Sequence, residues 1–259
     1  MDDNYQTYLN RVAKSALPET YKSQLQHIQA SPKFQPLPDG RRKAVAFPGY
    51  TVMTPPAEED AQNTALYQSL EKCQQQLLQF TDNLIVPVPP SSFHLTLADL
   101  IWENAYQYAQ ENTEKFELQL HSAIAKIFEQ FPQITDNNPI RWQILGLLIM
   151  PRAIGVALVP QNEIAYNRIL QLRRAIYQSP ELTALGMEQH YHFTAHITLG
   201  YFGEVTPELD RDRLSTTIAE LNYQCLENTP ELSIYRAELR KFDDMTRYYR
   251  EQNWTVLEF

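Results

Sequence analysis

The sequence predicts an α+β fold built as two lobes, a pseudo-twofold pair of antiparallel sheets with helices outside and a central cleft. Two observations carry this. The order strand, helix, histidine-bearing strand occurs twice, with about as many residues between "GYTVMTP" and His94 as between "GVALVP" and His196. The strands that close the two halves share a pattern, "FHLTL" at 93–97 and "AHITL" at 195–199, in which polar His and Thr alternate with apolar residues.

Taken in order, residues 1–30 read as a polar, helical N-terminal appendage, from the spacing of Tyr5, Tyr8, Leu9, Val12 and Ala13 and the break at Pro18. Residues 31–259 then form a single bilobal domain. Pro32, Pro36 and Pro38 make a loop into "KAVAFPGYTVMTPP", a broken strand. Residues 58–80 predict a helix whose apolar stripe is Ala65, Leu66, Leu70, Cys73, Leu77 and Leu78, with acidic residues in its first turn. "DNLIVPVPPSS" is an irregular entry to the His94 strand, and residues 103–131 are helical again.

"IRWQILGLLIMPRAIGVALVP" reads as two buried strands joined at Met150, Pro151 and Arg152. A helix from Glu163 to Tyr177 faces Ile164, Ile169, Leu172 and Ile176 to the core. The strand "HFTAHITLGYFG" follows, and strict alternation aligns His192, Thr194, His196 and Thr198 on one face. A helix over 207–221 precedes "ELSIYRAELRKF", "DDMT" and "RYYREQ", a hairpin closing on "WTVLEF" in which Asp243 and Asp244 are candidate catalytic carboxylates but read first as turn residues.

With 259 residues the chain is long enough to bury a sizeable core without a staple. Cys73 and Cys225 are too few for a disulfide framework and too isolated for a metal knuckle, which points to a reducing compartment. The start "MDDNYQTYLN" lacks a basic and apolar leader, and apolar runs such as "ILGLLIM" are too short to span a bilayer. A cytoplasmic protein without membrane association is expected. A formal net charge of −9 disfavours extended nucleic-acid binding, so an anionic substrate is expected to be small or held locally.

"HLTL" at 94–97 and "HITL" at 196–199, set 102 residues apart in matching contexts, resemble the paired signatures of the 2H phosphoesterase superfamily, including 2′,3′-cyclic phosphodiesterases of the RNA-ligase-like type. "KFQPLPDGRRKAVAFPGYTV" and "LRKFDDMTRYYRE" further resemble an uncharacterised bacterial branch of that superfamily. The resemblance implies a cleft lined by His94, Thr96, His196 and Thr198, and hydrolysis of a cyclic phosphate on a nucleotide or RNA end, with neither metal nor cofactor. The chemistry accounts for the pairing. Displacement at phosphorus needs a base on the entering water and an acid on the departing oxygen, on opposite sides. Two imidazoles with ordinary pKa values of about 6.5 can hold one proton between them near neutrality. Threonines facing the same way donate to the non-bridging oxygens.

Other residues extend this expectation. His192, on the same strand face, is a candidate for enlarging the pocket; Tyr201, Phe202 and Tyr50 for stacking a base; and Arg152, Lys43 and Arg41 for holding phosphate. Two rival readings remain open at this point. One is a nucleotide- or RNA-end-binding protein without turnover. The other is a zinc hydrolase using His190, His192 and His196.

Overall fold

The computed structural model describes residues 2–81, 83–132, 139–226 and 229–259. Its strands assemble two five-stranded antiparallel sheets and one small hairpin.

The chain opens with α1 (Tyr5–Ser15), capped by the Asn4 side chain on Thr7 N at 2.8 Å, and α2 (Pro18–Leu25), which begins on a proline that needs no partner for its nitrogen. Both helices are embedded in the second lobe. Tyr8, Val12, Tyr21 and Leu25 are fully buried, and the Tyr8 and Tyr21 hydroxyls donate to the carbonyls of Leu158 and Leu147 at 2.7 and 2.9 Å.

Next come β1 (Phe34–Pro36) and β2 (Arg42–Ala44), which pair only with each other, and β3 (Gly49–Met53). Two short 3-10 turns lead into α3 (Thr64–Gln79), then β4 (Ile85–Pro87) and β5 (Thr96–Trp102). The predicted long helix is two, α4 (Glu103–Asn112) and α5 (Phe116–Gln130). Strands β6 (Ile140–Ile149) and β7 (Ala153–Pro160) turn at Met150–Arg152 as expected, and α6 (Glu163–Tyr177) follows with the predicted bounds. Ile164 does not face the core. It is 72 % exposed in the first turn, where Ala165 and Tyr166 take the inward positions.

After α7 (Pro180–Ala184), β8 starts only at His196 (His196–Phe202), so His192 and Thr194 lie before the strand and the alternation does not reach them. The chain ends with α8 (Arg211–Leu226), β9 (Leu232–Ile234), β10 (Arg236–Asp244), β11 (Arg247–Tyr249) and β12 (Val256–Glu258).

The first sheet runs β11-β10-β3-β5 with β12 also on β10, and the second runs β4-β8-β7-β6-β9. Each half therefore lends strands to the other. β4 precedes β5 yet pairs with β8. The tail divides, with β9 on β6 and β10–β12 extending the first sheet, so "ELSIYRAELRKF" is two strands in two sheets. The helices exchange as well. α3 packs on β8 and α6 on β5, each against the histidine strand of the other half.

Candidate active site

Within the first sheet β3 pairs with β5, and within the second β7 pairs with β8, so each half hydrogen-bonds its own His-x-Thr strand. In both pairs the ladder slips just past the motif. Thr96 and Ala98 oppose Met53 and Val52 with Leu97 left over, while Thr198 and Gly200 oppose Gly155 and Ile154 with Leu199 left over. The Leu after each motif Thr is the extra residue of a β-bulge. Both leucines are fully buried.

A bulge inverts the alternation beyond it. His94 and Thr96 line the cleft, Leu97 and Ala98 both turn to the core, and Asp99 then faces the cleft. His196, Thr198 and Tyr201 repeat the pattern around Leu199 and Gly200. A bulge's widened backbone leaves carbonyls to be satisfied. Arg173 of α6 donates from Nη1 to Leu97 O at 2.6 Å, and Gln74 of α3 donates from Nε2 to Leu199 O at 2.7 Å.

The cleft encloses about 480 Å³, within the range of small-molecule sites. His94 Nδ1 donates to Ser92 O and His196 Nδ1 to Thr194 O, both at 2.7 Å. A carbonyl only accepts, so in each ring Nδ1 carries the hydrogen and Nε2 is the nitrogen left for the cleft. Burial, with smaller contributions from His196 and Arg240, pushes the His94 imidazole down to about 4, even against the Ser92 contact. Its ring packs 4.3 Å from that of Tyr248.

The cleft brings together His94, Thr96, His196, Thr198, Tyr201 and Arg152 of the residues singled out by sequence. It does not include His192, Tyr50, Phe202, Arg41 or Lys43. His192 is exposed, with Nδ1 3.5 Å from Asp3 Oδ1, because the chain is not yet a strand there. Tyr50 is on the opposite face of β3, fully buried among Tyr106, His121 and Trp254, while its neighbour Thr51 lines the cleft. Phe202 is in the core, Arg41 is paired with Asp39, and Lys43 is exposed on β2. Among the described residues no group of three His, Cys, Asp or Glu is arranged to hold a metal ion, so His190, His192 and His196 are not a ligand set. His190 packs on the Trp102 ring. Asp243 and Asp244 are the last residues of β10, outside the cleft, and Asp244 accepts from Thr246 N at 2.7 Å in the turn that follows.

Sequence reasoning missed Asp99, Lys33, Trp102, Tyr191 and Tyr248, all of which line the cleft. For Asp99 a signal exists: "LA" after Thr96 and "LG" after Thr198 put two inward residues in a row. The Tyr191 hydroxyl donates to Asp99 Oδ2.

Residues 37–147 match the family model described as "2H-phosphodiest: Domain of unknown function (DUF1868)", a segment that includes His94 and ends before His196. The match bears out the resemblance to 2H phosphoesterases over that segment, which holds one of the two motifs. No curated protein sequence matches the chain. Among solved structures, the protein of unknown function ATU0111 from Agrobacterium tumefaciens is 16% identical at a TM-score of 0.59, over 81% of this chain and 86% of that one. LigT of E. coli complexed with 3′-AMP is 13% identical at a TM-score of 0.48, over 83% and 98%. TT0787 of Thermus thermophilus is 17% identical at a TM-score of 0.45, over 81% and 94%. The likeness to ATU0111 is one of fold.

Proposed function

We propose that this 2H phosphoesterase-like chain hydrolyses a 2′,3′-cyclic phosphate on a nucleotide or RNA end by acid-base catalysis between His94 and His196. The observation that carries the reading is the matched pair: one imidazole from each sheet lines the same cleft, and each is oriented by the same Nδ1 contact to a carbonyl two residues back. A site that only bound a nucleotide has no need of two acid-base groups held alike.

Burial keeps His94 neutral near pH 7, which suits it to take a proton from the attacking water at Nε2. The water oxygen bonds to phosphorus as the bond to one ribose oxygen breaks, and His196 gives that oxygen its proton. Thr96 and Thr198, each two residues beyond its histidine and lining the same cleft, donate hydroxyls to the non-bridging oxygens where charge accumulates. None of these steps needs a metal-bound water.

The test is a panel of nucleoside 2′,3′-cyclic phosphates and linear phosphoesters, with a variant lacking both imidazoles as control. Hydrolysis of the cyclic esters by the wild type alone is expected. Tight binding with no product after long incubation would instead make the chain a nucleotide-binding protein.

A further inference from the structure

One cation in the cleft has no part in that chemistry. Lys33 stands before the β1–β2 hairpin with the backbone fixed on both sides of it: Ser31 N donates to Phe202 O at 2.7 Å, and Val45 N donates to Lys33 O at 3.0 Å. The half-buried side chain runs into the cleft, placing Nζ 4.3 Å from the Phe47 ring centre and 5.2 Å from that of Tyr201. Its one hydrogen-bond acceptor among the described residues is the Met245 sulfur at 3.2 Å, a weak partner for an ammonium with three donors. Among the described residues no carboxylate is within ion-pair distance of it.

The charged groups that face Lys33 are Asp99 of β5, Glu103 at the start of α4, and Arg152 of the β6–β7 turn. Arg152 lines the same cleft, and its nearest side-chain partner is the neutral Gln29 amide at 3.4 Å. Burial lowers the Lys33 ammonium to about 8, with Asp99 and Glu103 opposing that shift. A half-desolvated ammonium and a guanidinium at one wall, both joined to neutral partners, form a cradle suited to an anion.

We propose that Lys33 and Arg152 form a second anion subsite, so that the preferred substrate carries a phosphate group in addition to the ester at the histidine pair. This rests on the phosphoesterase reading for what happens at the first phosphate, but not for the binding of the second. The second phosphate has two sources, a terminal 5′-phosphate on a mononucleotide or the internal diester of an oligonucleotide end. Both present the same oxyanion.

Calorimetry with adenosine 3′-monophosphate, adenosine 3′,5′-bisphosphate and the dinucleotide ApA 3′-phosphate tests this. The wild type is expected to bind at least one of the two doubly phosphorylated probes about tenfold or more tighter than the monophosphate, and which one identifies the source. Lys33→Met, which keeps the stem, should reduce that ratio toward one, and Lys33→Arg should restore most of it. A wild-type ratio near one, or an undiminished ratio in Lys33→Met with its circular dichroism unchanged, overturns the proposal. Turnover is a separate measurement. Loss of every cyclic-phosphate activity with the binding ratio intact would overturn the phosphoesterase reading and leave the second subsite standing.

Discussion

Arg173 and Gln74 perform the same task from opposite halves of the chain: each reaches across to the other half's histidine strand and donates to the carbonyl of the bulge leucine, Leu97 or Leu199. The bulges turn Asp99 and Tyr201 into the cleft, so these two buried side chains maintain the shape of both walls. Arg173 is also paired with Asp2 at 2.8 Å, both side chains being almost wholly buried.

Replacing Arg173 by Met should therefore cost about 3 kcal/mol or more, because it strands a buried carboxylate and a buried carbonyl together. Gln74→Leu should cost less, about 1–3 kcal/mol, since it takes a donor only from the neutral carbonyls of Val88 and Leu199, and Leu199 O keeps its bond from Val88 N. Denaturant unfolding of both variants checks the order. Equal, negligible losses would mean that the bulges are held by strand pairing alone.

His94→Ala and His196→Ala should each abolish hydrolysis of cyclic phosphates with the fold retained. With a very good leaving group, which departs without a proton, His196→Ala should recover much of its rate and His94→Ala should not, because the entering water still needs its base. Steady-state kinetics on two substrates of contrasting leaving group read this out. The reverse pattern would exchange the two roles.

Thr96→Val and Thr198→Val keep a β-branched residue at each strand position and remove only the hydroxyl. Each should lower kcat by on the order of 10²-fold, as loss of one oxyanion donor does. Unchanged rates would reduce the threonines to strand formers.

A pH series tests the burial of His94. In the proposed mechanism its neutral form is the base, and burial lowers its pKa to about 4, so kcat/KM should fall on the acid side only well below the ordinary imidazole range. Stability should follow the same window. The unfolded chain binds the His94 proton below about pH 6.5 and the folded chain does not until about 4, so stability declines as pH falls from 6.5 toward 4. Thermal unfolding of the wild type and His94→Gln over that range should show a shallower slope in the variant.

Chelation should leave turnover intact if, as proposed, the two imidazoles supply both proton transfers. Activity lost to EDTA and restored by zinc would require a metal-bound water.

Local pattern determined a good deal here. The alternation of His and Thr with apolar residues at 94–97 and 196–199, the helical stripes of α3 and α6 apart from the exposed Ala65 and Ile164, and the turn at Met150–Arg152 follow from rules that act over a few residues, and all are visible in the chain. The paired motif by itself pointed to two cleft-facing imidazoles. Tertiary structure alone decided which strand joins which sheet, because β4 and β9 are three-residue strands with no pattern to mark a partner. It also decided that Tyr50 is core and Thr51 is cleft, since a strand with both faces covered reads as uniformly buried and hides its own sidedness. Lys33 became a cleft residue only when Ser31 and Phe34, on either side of it, folded against Phe202 and Tyr201 of β8, a contact between residues far apart in sequence whose closure depends on the packing of everything between them.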